Sequence, residues 1–400
     1  MAWCQAGSDV GRSCFDEIVG LDGVEFCEKH SAMHLVFLQR LDQAGGGSRA
    51  SMRGTMKALR SERPAWELSL VSQECGPVGR EMIGLGVNHL TAPLARFRKF
   101  WERPAFWRDC RSLASKLAER APDAILSNEW VTAPHAFQIA RQLGIPAFSY
   151  VRDFAAVARG RKYQLHRMDR LLCVCETMRR ELIAVGYEAE KVLTVYNPIQ
   201  QAMPSEPEAE VFERIQQMRD VDRYLLYLGR ISPRKNQLAA IATLKLLREQ
   251  TGERWGLILA GDEDEEYAAG IDAAARSAGL ENAVARVGLV KNPGCLFGLA
   301  DASILTSKSE GLARVLIESF LCGKPAFSYP LGGLEDVYGA EIERFVADER
   351  KPEALVARIL QAFANPDELQ DRTAALRRMF EVRHSLGKHV EAFEQAVRVD

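Results

Sequence analysis

The run Tyr224-Leu225-Leu226-Tyr227-Leu228-Gly229-Arg230-Ile231-Ser232-Pro233-Arg234-Lys235-Asn236 decides how this chain is built. Its first five residues form a short apolar stretch, the kind that parallel sheets bury on both faces. Gly229 ends it, and after Asn236 a helical pattern places Leu238, Ile241, Ala242 and Leu246 on one face. Strand, cationic loop and helix make one βα unit. In doubly wound sheets ligands bind at the carboxyl ends of the strands. A guanidinium from Arg230 and an ammonium from Lys235 at that edge suit the oxygens of a diphosphate.

The alternation extends in both directions from this unit. Upstream, strands are expected at His34 to Leu38, Trp66 to Val71, Ala124 to Ser127, Pro146 to Tyr150, Leu171 to Cys175 and Lys191 to Val195. Downstream they are expected at Trp255 to Ala260, Ala283 to Val287, Ala302 to Thr306 and Pro325 to Tyr329. Such a series builds parallel sheets with helices on both faces, so the fold class is α/β with two Rossmann-like domains. The first spans residues 1–200, with 1–30 an extension that shows no clean period. Periodicity fails and Pro and Glu accumulate over 201–222, which reads as a linker. The second domain covers 223–378, and 379–400 is a terminal helix expected to cross back to the first.

A chain of 400 residues with 47% hydrophobic content and both charge signs is a globular protein with room for two cores. No stretch approaches the roughly 20 apolar residues of a membrane span, and no basic-then-apolar leader opens the chain, so a cytosolic location is expected. Nine scattered cysteines suggest reduced thiols. Cys173 and Cys175 are expected to lie on one face of a strand and not in a zinc knuckle. The first half is net basic and the second net acidic, with the positive excess concentrated within residues 96 to 170.

A second motif follows the strand at Ala302: Ser307-Lys308-Ser309-Glu310-Gly311-Leu312-Ala313-Arg314-Val315-Leu316-Ile317-Glu318. If a helix starts near Gly311, the two carboxylates are separated by roughly 12 Å of rise and little more than two turns, so both line one edge. Amides at the helix start would hold phosphate while the carboxylates hold hydroxyls. The plainer alternative makes Glu310 a helix cap and Glu318 a solvated carboxylate.

Gly229-Arg230-x4-Lys235 and Glu310-x7-Glu318 resemble the paired signatures of the family 4 glycosyltransferases, which have the GT-B fold, two Rossmann-like domains facing a central cleft. Leu257 to Asp262, Val287 to Val290, Leu299 to Ala302, Gly323-Lys324-Pro325 and Gly332 to Glu335 match that family in order and spacing. Gly45-Gly46-Gly47 resembles its glycine-rich loop, and Tyr196 to Ile199 its entry to the linker. Val151-Arg152-Asp153-Phe154 stands where the family has a His-Asp, so Arg152 departs from the pattern.

The resemblance implies a retaining transfer of a sugar from a UDP- or GDP-linked donor to a hydroxyl of a glycan, lipid-linked or small-molecule acceptor. No cofactor and no required metal are implied. Arg230 and Lys235, with amides near Gly311, Leu312 and Ala313 and the loop at Gly46 and Gly47, would neutralise the leaving diphosphate. Glu310 would take sugar hydroxyls and Glu318 the ribose, while Gly229, Gly261, Val290, Lys291 and Val315 complete the donor side. Arg152 and Asp153 would face the sugar or acceptor from the first domain, the alternative being a structural ion pair. Two other readings keep the fold: a nucleotide-sugar epimerase or hydrolase, and a catalytically silent partner in glycan assembly.

Asp262-Glu263-Asp264 could hold a divalent metal, but with Glu265 and Glu266 it reads better as an acidic helix start. The stretch from Arg96 to Arg108 mixes cations with Phe97, Phe100, Trp101, Phe106 and Trp107. It suits an anionic membrane surface, placing the protein peripherally on the inner face, or else a surface helix with its rings buried. Pro104 is expected to interrupt any long helix there. Nucleic-acid binding lacks a basic module.

Overall fold

A computed structural model describes residues 32–41, 46–97, 99–202 and 206–398. The expected extension at 1–30, Gly45, Arg98 and residues 203–205 of the linker lie outside them. Seven parallel strands form the first sheet: β1 His34–Leu38, β2 Glu67–Ser72, β3 Asn88–Thr91, β4 Ala124–Ser127, β5 Ala147–Val151, β6 Arg170–Cys173 and β7 Val192–Thr194, in the order β3-β2-β1-β4-β5-β6-β7. Five more form the second: β8 Arg223–Leu228, β9 Trp255–Ala260, β10 Val284–Gly288, β11 Ala302–Leu305 and β12 Ala326–Ser328, in the order β10-β9-β8-β11-β12. Each sheet reverses its winding once, between β1 and β4 and between β8 and β11. The central strands are buried along their whole length, as β1 and β9 illustrate, because helices cover both faces.

Four local expectations differ from what is found. β3 was not foreseen: it is a polar four-residue edge strand without an apolar run. A helix, Ala209–Gln216, occupies the expected linker, and its Val211 and Ile215 pack with Leu226 and Ile258 of the second sheet. Cys175 lies beyond β6 and precedes the helix Glu176–Ala184; both Cys173 and Cys175 are buried. Pro104 sits in the first turn of a 16-residue helix, Arg103–Ala118, where it costs no hydrogen bond.

The chain crosses back near its end. Helix Pro366–Arg383 packs on helix Arg314–Leu321 of the second half, whereas helix Leu386–Val397 packs on the first. Phe393 stacks on Phe37 of β1 and Tyr150 of β5, with ring centres 6.3 and 6.2 Å apart. Glu394 pairs with Arg63 at 2.7 Å. The first core is therefore completed by residues remote in sequence.

The carboxyl edges of the two sheets meet. A Cβ built on Gly311, which follows β11, would stand 1.8 Å from the carbonyl oxygen of Arg152, which follows β5. Only a glycine allows backbone to lie on backbone so closely. Beside it, the buried carboxylate of Asp336, in the short helix Leu334–Tyr338, accepts the backbone N–H groups of Glu176 and Thr177 at 2.8 and 2.9 Å. It also takes the hydroxyls of Thr177 at 2.6 Å and Tyr196 at 2.8 Å. Among the described residues no helix is long and apolar enough to cross a membrane.

Candidate active site

The loops after β8 and β11 flank the point where the second sheet reverses, the position at which such sheets open a ligand crevice. They are stitched together. Tyr227 donates to the Lys235 carbonyl at 2.5 Å and lies 3.1 Å from the Ser307 hydroxyl. The Thr306 hydroxyl donates to the Asn236 carbonyl at 2.8 Å, and Arg234 donates to the Ser309 carbonyl at 2.6 Å. This bracing brings Lys235 Nζ to 2.6 Å from Glu310 Oε1, with the two side chains only 13% and 10% exposed. Arg230 is exposed and makes no ion pair among the described residues; its carbonyl accepts the Gln237 amide at 2.9 Å.

Backbone conformation explains the glycines of this crevice. Gly261, after β9, has φ +149 and an added Cβ would lie 2.3 Å from the Gly229 carbonyl oxygen. Gly229 itself has φ +155 and carries the Lys235 stem 3.5 Å from its own missing Cβ.

The helix after Glu310 starts later than the sequence suggests. It runs Arg314–Leu321, so Gly311, Leu312 and Ala313 are an approach segment, drawn out by the contact of Gly311 with the first half. Glu310 is consequently no helix cap but the partner of Lys235. Glu318 lies one turn inside the helix, 3.0 Å from Arg314, which also donates to Ser51 of helix Gly47–Glu62 at 2.9 Å. Leu312 and Ala313 are buried and Val315 half-buried. Val290 and Lys291 follow β10, away from this ion-pair cluster; Lys291 is fully in solvent, 4.0 Å from Glu208.

On the facing edge, Gly46 and Gly47 open the helix Gly47–Glu62 after β1, both exposed. Arg152 forms no ion pair among the described residues. Its guanidinium donates from Nε to the Asn128 carbonyl and Oδ1 at 3.0 and 3.1 Å, from Nη2 to Asn128 Oδ1 at 2.8 Å, and from Nη1 to Asn197 Oδ1 at 2.6 Å. It lies 3.9 Å over the Tyr150 ring. Burial lowers its pKa to about 10, an effect Arg314 reinforces and Tyr150 and Glu129 oppose. Asp153 accepts from the Trp130 indole at 3.1 Å and the Ala155 amide at 2.9 Å.

Two of the three acids in the run Asp262-Glu263-Asp264 are spent on structure. Asp264 caps helix Glu265–Ser277 through the Tyr267 amide, and Glu263 pairs with Arg286. Three participants carried no signal read from sequence: Arg314, Asn128 and Asp336. Arg314 alone was legible in principle, lying four residues before Glu318 on one helix face.

Comparison with known proteins assigns these two halves. Residues 45–202 match the family described as "Glycosyltransferase Family 4" and residues 209–379 the one described as "Glycosyl transferases group 1". The O-antigen chain mannosyltransferase B of Escherichia coli is 26% identical over 211 residues, which cover 51% of this chain and 54% of that protein; the chain thus matches about half the length of this relative. Among solved structures, Anabaena HepE in complex with UDP and glucose superposes with a TM-score of 0.74 at 16% identity, covering 91% of this chain and 99% of that one. Sucrose-phosphate synthase from Thermosynechococcus elongatus does so with 0.71 at 15%, covering 91% and 98%. These likenesses are of fold, and the fold is GT-B. Each half of the molecule, with its own sheet and its own edge of the crevice, is matched by a glycosyltransferase family, and the chain belongs to the family 4 glycosyltransferases.

Proposed function

We propose that this glycosyltransferase transfers a sugar, with retention, from a UDP- or GDP-linked donor to a hydroxyl of a glycan, lipid-linked or small-molecule acceptor, without a resident metal. The Lys235–Glu310 pair braced across the β8/β11 switch point carries this reading. Lys235 and Arg230 supply the positive charge for the departing diphosphate in a site where little reorganisation is needed. The bond from anomeric carbon to phosphate oxygen breaks, and its electron pair leaves with the nucleoside diphosphate. The acceptor oxygen bonds to the same face and its proton passes to the leaving phosphate. Glu318 takes the ribose hydroxyls, releasing Arg314; Glu310 takes sugar hydroxyls while still holding Lys235. The engagement of Glu263 and Asp264 in other contacts supports a metal-free site.

The HepE complex with UDP and glucose and the mannosyltransferase relative support a nucleotide-sugar donor and a role in polysaccharide synthesis. For the acceptor, the helix Arg103–Ala118 and the turn before it support a lipid-borne molecule. Phe100, Trp101 and Trp107 are 78, 71 and 45% exposed, beside exposed Lys99, Arg103, Arg108 and Arg111. Such a surface fits the anionic inner face of a membrane.

Titration calorimetry of the intact protein against UDP- and GDP-sugars tests the donor, and Lys235→Ala should lower turnover by roughly 10²–10³-fold. Turnover near wild type in that variant would sink the reading.

A further inference from the structure

Among the described residues, no carboxylate forms an ion pair with the Arg152 guanidinium. Every hydrogen bond to its guanidinium goes to a neutral oxygen, those of Asn128 and Asn197. Both asparagines are buried, and Asn128 is itself fixed by donating to Gln39 Oε1 at 2.5 Å. The nearest acid in the loop after β4, Glu129, accepts the Ser48 hydroxyl at 2.5 Å and forms no ion pair with Arg152 among the described residues. The second guanidinium in the neighbourhood, Arg314, already has Glu318.

Enclosing a cation without a counter-charge is costly, and a neutral amide such as glutamine could fill an amide-lined seat without that cost. An oriented, uncompensated guanidinium is instead what a ligand oxyanion requires, because both oxygens of a carboxylate or phosphate match its planar fork. The seat is built from Asn128 after β4 and Asn197 after β7, at the carboxyl edge of the first sheet, and the backbone of Arg152 itself meets Gly311 of the second half. Under the donor reading above, on which this inference rests, the diphosphate is served by Arg230 and Lys235 in the second half. The charge on the opposite wall therefore addresses the sugar or the acceptor.

We propose that Arg152 is a specificity-determining residue that selects an acidic sugar, with its carboxylate or phosphate group paired to the guanidinium. The acidic group belongs either to the transferred sugar or to the acceptor, and two pairs of probes separate these sources. On the donor side, calorimetry compares the uronate and hexose forms of whichever nucleotide binds, UDP-glucuronate against UDP-glucose or GDP-mannuronate against GDP-mannose. On the acceptor side, with that nucleoside diphosphate bound, it compares methyl glucuronide and glucose 6-phosphate against methyl glucoside.

The wild type should prefer the acidic member of one pair by about tenfold or more, the scale of one charge-assisted bidentate contact. Arg152→Gln, which can keep amide contacts in the seat, should erase that preference, leave the nucleotide alone bound as before, and melt no lower than the wild type. Arg152→Lys should retain part of it. Equal binding within both pairs, a preference that survives in Arg152→Gln, or a melting temperature several degrees lower in that variant would each overturn the proposal. Failure of UDP and GDP alone to bind the wild type identifies the donor reading as the one at fault, and this inference falls with it.

Discussion

Asp336 caps a helix that belongs to the other half of the molecule: its carboxylate accepts the Thr177 amide at 2.9 Å and the Thr177 hydroxyl at 2.6 Å. Arg383, from the helix before the crossover, holds the Asp336 carbonyl at 2.6 Å. The two Rossmann-like units are thus joined beside their linker by the device that ordinarily ends a single helix.

Removing that carboxylate leaves the half-buried donors of Glu176, Thr177 and Tyr196 without their acceptor. Asp336→Ala should therefore cost about 2–4 kcal/mol, more than an ordinary cap because several donors are stranded together. Urea unfolding measures this, and a loss below about 1 kcal/mol would mean that water replaces the carboxylate there.

Acid should destabilise the protein in two stages. Burial lowers the pKa of His135, His384 and His389 to about 4, so each is neutral when folded. Unfolded histidines titrate near 6.5, so the unfolded state binds more protons below that pH, and stability present above about 6.5 declines as pH falls towards 4. Burial would raise the pKa of Asp336, but hydrogen bonds from Thr177, Glu176 and Tyr196 outweigh it and hold it below the usual range. Its stabilisation is present above the unfolded carboxylate pKa and disappears at lower pH still. A urea midpoint unchanged between pH 7.5 and 4.5 would contradict the histidine assignment.

Gly311→Ala tests whether the closed arrangement is needed. The new methyl would meet the Arg152 carbonyl oxygen at 1.8 Å, a backbone atom that cannot swing aside. The halves should separate, raising the radius of gyration in small-angle scattering, and kcat/KM should fall about 10²-fold through lost alignment. Unchanged scattering and activity within twofold would show that the seam yields elsewhere.

For the cationic aromatic turn, the double variant Phe100→Ala with Trp101→Ala should weaken co-sedimentation with phosphatidylglycerol vesicles by roughly tenfold or more, and Arg103→Glu should weaken it further. Turnover with a water-soluble acceptor should not change. Equal binding of wild type and variant would dissociate these rings from any bilayer.

The strands that carry the site were readable because parallel strands buried on both faces leave uninterrupted apolar runs, as in Tyr224 to Leu228 and Trp255 to Ala260. The cations after β8 and the carboxylates after β11 were readable because they follow such runs directly. What escaped joins distant residues through single polar atoms. Asp336 and Thr177 lie 159 positions apart, and Arg152 and Asn197 lie 45 apart. No periodicity announces such pairs. The delayed helix start at Arg314 has the same origin, since the contact of Gly311 with the first half keeps the preceding residues out of the helix. For the rings at Phe100 and Trp101 the sequence leaves exposure and burial both open, because composition tells that aromatics are present but not which side of a short 3₁₀ turn faces water.

Phe393, lodged against Phe37 and Tyr150, also sets an order of events during synthesis. Chains emerge from the ribosome N-terminal end first, and domains ordinarily fold as they appear. Here the earlier-made unit must wait, with one flank of its core open, until helix Leu386–Val397 has been translated. The later-made unit, whose strands and covering helices are all in hand by residue 383, is free to fold before its predecessor is finished. Truncation before residue 386 should accordingly harm the beginning of the protein more than its end, and nascent chains stalled there are natural clients for chaperones.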